Sequence, residues 1–304
     1  MKRMLMAVLA TAAALMAQPA LADPLKVVAS FTILGDMAGR IGGDGVAVTT
    51  LVGPDGDAHV YEPTPVDARA LAGADLVIVN GLGFEGWMDR LVQASGYKGP
   101  VVVATAGIDP LPGTEEEGHG HSHGHDHGAD PHAWQSVANA KIYAGNIADG
   151  MAAAAPAQAE AFRSGLASYR AELDALEAEI EATLAPVPRD RRIIVTAHDA
   201  FGYYARAYGV TFLAPVGIST EAEPSAGAIA RLIRQMKAEN VRAVFVESIA
   251  DPRMLDRIAA ETGARIGGRV YSDALSGPDG PAPDYAAMMR HNTRAFASAL
   301  GAGS

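Results

Sequence analysis

Between Pro156 and Leu184 the apolar residues Phe162, Leu166, Tyr169, Leu173, Leu176, Ile180 and Leu184 recur every three or four positions. Arg163, Glu172, Glu177, Glu179 and Glu181 fill the other faces, which is the signature of one long amphipathic helix. Pro156 suits its first turn, and Pro186 with Pro188 stops it. The helix should run about 28 residues, roughly 40 Å at 1.5 Å per residue. A rod of that length can tie two domains together while limiting their swing. Strand and helix patterns on both sides favour such a connector over a surface helix of one domain.

Before the helix, strands are expected at 25–31, 46–52, 74–79 and 100–104, with crossover helices at 36–41 and 64–71. Thr64-Pro65 opens the second of these, and Asp67 falls in its first turn. After it come strands at 192–197, 210–215, 243–247 and 264–270 and helices at 225–240, 252–262 and 285–300, with Ser225 as an N-cap. Near-continuous Val, Ile and Leu runs alternating with helices require parallel sheets covered on both faces. The fold class is therefore α/β: two lobes, each with a parallel-type sheet flanked by helices, bridged by one long helix. The expected division is a signal peptide over 1–22, a first lobe over 23–151, a connector over 152–188 and a second lobe over 189–304.

The first 22 residues carry Lys2 and Arg3, an apolar run from Leu5 to Ala17, and Ala20-Leu21-Ala22 before Asp23. They read as a cleaved export signal, too short to span a bilayer. The chain contains no cysteine, so lipid attachment, disulfides and thiolate ligands are excluded, and a metal could be held only by nitrogen and oxygen. A formal charge of −11 argues against nucleic acid or an anionic membrane surface as partner and is compatible with cations.

Four polar residues are expected at the sheet edges where a cleft between the halves would lie, three of them beyond the carboxyl ends of strands, where ligands bind in open α/β sheets. His59 lies in Gly53-Pro54-Asp55-Gly56-Asp57-Ala58-His59, and His198 follows Val195-Thr196-Ala197. Asp273 follows Val270-Tyr271-Ser272, while His132 sits in Asp130-Pro131-His132-Ala133-Trp134 ahead of a helix-like run, 135–151. Each alone is an ordinary loop residue; together they supply two donors from each half. Glu223 and Glu247 are reserve candidates near the same edges, and His291 reads as a surface residue. Within 115–128, His119, His121, His123, His125 and His127 alternate mainly with glycine, which prevents packing and leaves imidazoles able to capture divalent transition metals. A solvated spacer is the alternative there.

These motifs resemble the metal-binding solute-binding proteins of ABC importers for zinc and manganese. The resemblance covers the mature chain through His59-Val60-Tyr61-Glu62-Pro63, Asn80-Gly81-Leu82-Gly83-Phe84-Glu85 with Trp87, Asp130 to Trp134, His198 to Tyr203, Glu221 to Ser225 and Tyr271 to Leu275. It implies that His59, His132, His198 and Asp273 occupy the family's four ligand positions, and that the histidine-rich loop is of the kind found in zinc members. It also implies a monomeric periplasmic receptor, no enzyme, that delivers Zn²⁺ to a membrane permease with its cytoplasmic ATPase. Two departures stand out. Gln135-Ser136-Val137 replaces an apolar residue and a proline, and the disulfide of some zinc members cannot form.

Three neutral imidazoles and one carboxylate suit tetrahedral Zn²⁺ on chemical grounds, whereas Mn²⁺ prefers more oxygen. Alternatives are a manganese-type receptor, a periplasmic zinc buffer without a permease, and a zinc hydrolase using Glu223 or Glu247 as general base. Asp273 discriminates the last, because a fourth protein ligand leaves no position for water.

Overall fold

The computed structural model describes residues 23–113 and 128–301. The expected signal peptide and His119, His121, His123, His125 and His127 lie outside the described residues.

The first half contains β1 (Leu25–Phe31), α1 (Thr32–Gly42), β2 (Val46–Val52), α2 (Pro65–Ala72), β3 (Leu76–Val79), α3 (Met88–Ser95), β4 (Val101–Val103) and α4 (Val137–Ala154). A 3-10 turn at Pro156–Gln158 leads into α5 (Ala159–Leu184). The second half contains β5 (Ile193–Val195), α6 (Gly202–Tyr208), β6 (Thr211–Leu213), α7 (Ala226–Ala238), β7 (Ala243–Glu247), α8 (Arg253–Thr262), β8 (Arg265–Val270) and α9 (Tyr285–Ala299).

Both sheets are four-stranded and parallel, ordered β2-β1-β3-β4 and β6-β5-β7-β8. Each therefore has a topological switch point beside its first strand, and loops diverging there open a crevice at the carboxyl edge. Expected strands at 25–31, 46–52 and 243–247 have their observed limits; those at 74–79, 100–104, 192–197 and 210–215 are shorter by one or two residues at one or both ends. The helix expected at 36–41 begins earlier, at Thr32. Thr32, Ile33, Leu34, Gly35, Met37 and Ala38 are all buried, so its first turn carries no polar face to mark a helical period.

Local chemistry sets the helix starts. Thr64 Oγ1 accepts from Val66 N at 3.3 Å, and Asp67 Oδ2 accepts from Thr64 N at 2.6 Å, closing a capping box on α2. Ser225 Oγ accepts from Ala228 N at 3.1 Å, capping α7 as expected. In α5, Phe162, Tyr169, Leu173, Leu176, Ile180 and Leu184 are buried against a surface made with α1, α4 and α9. A Cβ at Gly165 would lie 2.0 Å from the Ile41 carbonyl, so only glycine permits this approach of α5 to α1.

The connector is thus no free-standing rod. One continuous apolar core runs from the first sheet through α4, α5 and α9 to Phe201, Phe245 and Val270 of the second half. A smaller core lies among β5, β7, α7 and α8, around Val195, Leu232, Val244 and Leu255. Ion pairs from Glu179 to Arg290 (2.6 Å) and Arg294 (2.7 Å) add a polar seam between α5 and α9. Among the described residues no helix is long and apolar enough to cross a membrane.

Candidate metal centre

His59, His132, His198 and Asp273 converge between the two sheet edges, each offering one donor atom within 4.8 Å of all the others. All four are buried. His59 Nε2 lies 3.2 Å from His132 Nε2 and 3.4 Å from Asp273 Oδ2. His198 Nε2 lies 3.1 Å from Asp273 Oδ2, and His132 Nε2 lies 3.7 Å from Asp273 Oδ1. A tetrahedron with metal–ligand bonds of about 2.0–2.1 Å has edges of roughly 3.3–3.4 Å, so the observed spacings bracket one.

The donors of the cluster face one another across its centre. His198 Nδ1 and Nε2, Glu247 Oε2 and both Asp273 oxygens are buried with no aligned hydrogen bond among the described residues. Such groups carry a desolvation cost that a bound cation would offset, and the nitrogen and carboxylate donors fit a divalent transition metal.

Two of the three imidazoles are oriented from behind by a carboxylate, and the third is held through its backbone. His132 Nδ1 lies 2.8 Å from Asp130 Oδ1, which also accepts from His132 N at 2.9 Å. His198 Nδ1 lies 2.6 Å from Glu247 Oε2, while Glu247 Oε1 accepts from Ala197 N and His198 N at 2.7 and 3.0 Å. A carboxylate behind a ring fixes its tautomer and leaves Nε2 facing the centre. Asp57 Oδ1 holds the His59 backbone N–H at 2.9 Å. The Asn80 amide donates to Pro131 O at 2.9 Å and its Oδ1 accepts from Tyr143 at 2.5 Å, pinning the turn ahead of His132.

The Asn80–Glu85 turn, buried at both ends, is itself closed by Glu85 Oε1, which accepts from Ser30 Oγ and Asn80 N, both at 2.6 Å. Burial pushes the Glu85 carboxyl above its ordinary pKa despite these donors. Phe84 lies edge-on to His59 at 4.7 Å and to His132 at 5.9 Å, and Trp134 to His132 at 5.3 Å. This aromatic wall excludes water from the first-lobe side.

Charge separates cleanly within the cluster. Burial alone would lower the His198 pKa, but the carboxylates of Glu247 and Asp273 outweigh it and raise it well above the ordinary histidine value. Burial alone would raise the Asp273 pKa, but the imidazoles of His198 and His132 hold it well below the carboxylate range. In this arrangement His198 Nε2 faces the Asp273 carboxylate at 3.1 Å.

The reserve candidates fall elsewhere. Glu247 stands behind His198, and its Oε1 is occupied by two backbone N–H groups. Glu223 is exposed and lines a neighbouring cavity. His291 is partly exposed, with Nε2 2.8 Å from Arg269 O. The orienting roles of Asp57, Asp130 and Asn80 were not assigned from sequence, although Asp130 lies two residues from its histidine, a spacing that could have pointed to it.

Known proteins are similar to this chain over most of its length. It is 33% identical to the iron-binding protein YfeA of Yersinia pestis over 282 residues, spanning 92% of this chain and 88% of that protein. It is 34% identical to the manganese-binding lipoprotein MntA of Halalkalibacterium halodurans over 278 residues, spanning 91% and 89%. The structure of the periplasmic zinc-binding protein TroA of Treponema pallidum superimposes with a TM-score of 0.83 at 28% identity, covering 91% of this chain and 99% of that one. The family model described as zinc-uptake complex component A, periplasmic (ZnuA), matches residues 27–299, and this chain belongs to that family of metal-binding receptors of ABC importers.

Proposed function

We propose that the chain captures one Zn²⁺ through His59, His132, His198 and Asp273 and hands it to the permease of an ABC importer. The observation that carries this is the convergence of three imidazoles and one carboxylate, all buried, at tetrahedral spacing. Nitrogen-rich, four-donor sites favour zinc over manganese, which takes more oxygen ligands. The protein acts as a periplasmic monomer exported by residues 1–22, with a first lobe over 23–151, a connector over 152–188 and a second lobe over 189–304. His119, His121, His123, His125 and His127 recruit zinc loosely for the buried site.

Catalysis is disfavoured because Asp273 sits among the three imidazole nitrogens, where a hydrolase keeps an open position for water. Glu247, the reserve general base, is committed to His198. A buffer without a permease would leave zinc-limited growth unchanged on deletion of the gene.

The iron and manganese names of the relatives favour a second reading, in which this site loads one of those metals. Metal-free protein equilibrated with equimolar Zn²⁺, Mn²⁺ and Fe²⁺, then desalted and analysed by mass spectrometry of the metals, separates the two. Zinc should occupy most sites. A predominance of manganese or iron would overturn the assignment.

A further inference from the structure

We infer that the loop over 214–224 is a gate on the metal's route in and out of the site, and that Thr220 latches it through Asp57. This inference rests on the zinc-receptor function proposed above. The loop starts at His198: Val216 bridges to His198 in parallel, and Asp199 N donates to Gly217 O at 3.2 Å. It ends on the opposite half, where Thr220 Oγ1 donates to Asp57 Oδ2 at 2.7 Å. The other oxygen of that carboxylate, Oδ1, accepts the His59 backbone N–H at 2.9 Å. One carboxylate thus positions a first-lobe imidazole and holds a second-lobe loop.

Behind the loop lies a cavity of about 630 Å³ that reaches from Asp57 and Thr220 to His198, with Ile229, Met254 and Ile258 along its wall. The opposite approaches to the four donors are packed shut. Phe84 and Trp134 cover His59 and His132. The backbone around Asp273 is fixed by Trp134 Nε1 and Gln135 Nε2 on Ser272 O (2.9 and 2.8 Å) and by Leu275 N on Thr32 Oγ1 (2.9 Å). These ties are buried, whereas the Thr220–Asp57 bond, which joins loops of the two halves beside the cavity, is only partly so. Of these ties it alone borders the cavity without being fully buried, which is why the gate is placed there. The loop also lies near the foot of the histidine-rich segment, since a Cβ built at Gly113 would fall 3.5 Å from Ile218 Cδ1. Arriving metal would therefore reach the gate first.

Thr220 is a positioning residue, so its signature is kinetic. Zinc-loaded full-length protein is mixed with excess chromophoric chelator to read release, and metal-free protein with zinc to read loading. Thr220→Val keeps the side chain's shape and removes the donor; zinc release should accelerate about tenfold, as expected for one lost hydrogen bond to a charged group. Loading should also accelerate, so the dissociation constant shifts less than the release rate does. Thr220→Ser should restore wild-type rates, and the melting temperature should stay unchanged. Independently, Ala250→Phe narrows the cavity without touching a donor and should slow loading and release alike. Wild-type rates in both Thr220→Val and Ala250→Phe would overturn the gate. So would faster release in Thr220→Val with loading unchanged, which would mean distortion of His59. A wild-type protein that fails to retain zinc in the same assay would instead overturn the zinc-receptor function.

Discussion

The side-chain amide of Gln135 donates to the carbonyl of Ser272 at 2.8 Å, joining the first lobe just past His132 to the second lobe just before Asp273. Trp134 Nε1 shares the same acceptor at 2.9 Å. Gln135 stands where relatives are expected to carry an apolar residue, so this chain has an additional polar tie that sets the distance between an imidazole and the carboxylate.

Gln135→Leu should therefore weaken zinc binding by about tenfold, the equivalent of one buried hydrogen bond at roughly 1.4 kcal/mol. The fold should tolerate it, because Gln135 Oε1 is already buried without a partner and its removal relieves a cost. Chelator competition measures the affinity and thermal melting the stability. An unchanged affinity would mean that Trp134 alone suffices.

Glu247→Gln should lower zinc affinity by about 10–100-fold, the usual effect of removing a carboxylate that orients a metal-bound imidazole. The neutral amide retains an oxygen that can accept from Ala197 N and His198 N, so the backbone stays in place. Titration against a competing chelator checks this. Wild-type affinity in the variant would mean that His198 is oriented by its packing alone.

Acidity should control loading. Because Glu247 and Asp273 hold the His198 pKa well above 6.5, the metal-free ring keeps its proton at neutral pH and must release it before Nε2 can bind. Zinc affinity should rise with pH through and beyond 7, with about one proton released per zinc at neutral pH. For folding of the metal-free protein the sign is reversed. A raised folded-state pKa contributes stability that is complete below the unfolded value of about 6.5 and is lost as pH climbs through the folded one. Calorimetry in buffers of different ionisation enthalpy counts the protons; none released would contradict the charge state drawn for His198.

Deleting residues 115–127 should preserve the buried site while lowering the number of zinc ions bound. The feet of that segment are already closed: Pro112 pairs with Ala129, and Gly113 N donates to Gly128 O at 2.8 Å. A short turn can therefore join them without moving Asp130, whose N–H donates to Leu111 O at 2.8 Å. Calorimetric stoichiometry and zinc-limited growth are the readouts. Loss of the tight site would make a loop histidine a true ligand.

Much of this architecture was legible because it rests on periodicity. The Val, Ile and Leu runs of β1, β2 and β7 coincide with their ladders, and the three-and-four spacing from Phe162 to Leu184 marks the face that α5 buries. Signals failed where burial was complete or elements were short. α1 is buried through its first two turns, and α6, seven residues rich in tyrosine, has no room for a stripe. His59, His198 and Asp273 could be located beyond carboxyl strand ends, since topology alone puts such residues on one edge, whereas His132 was marked by the proline before it and the aromatic residue and helix after it. Which carboxylate faces the centre was indicated only by the family resemblance, which pointed to Asp273, and not by the residues themselves. Glu247 and Asp273 both stand at strand ends beside His198, and only the three-dimensional path of each backbone turns Asp273 inward and sets Glu247 behind the ring.

The most direct test is an anomalous-difference map, at the zinc absorption edge, of crystals grown from the zinc-loaded protein. One strong peak should lie about 2.0–2.2 Å from His59 Nε2, His132 Nε2, His198 Nε2 and an Asp273 oxygen. A peak bound elsewhere, or one that Asp273 does not touch and a water completes, would contradict the closed four-ligand receptor site.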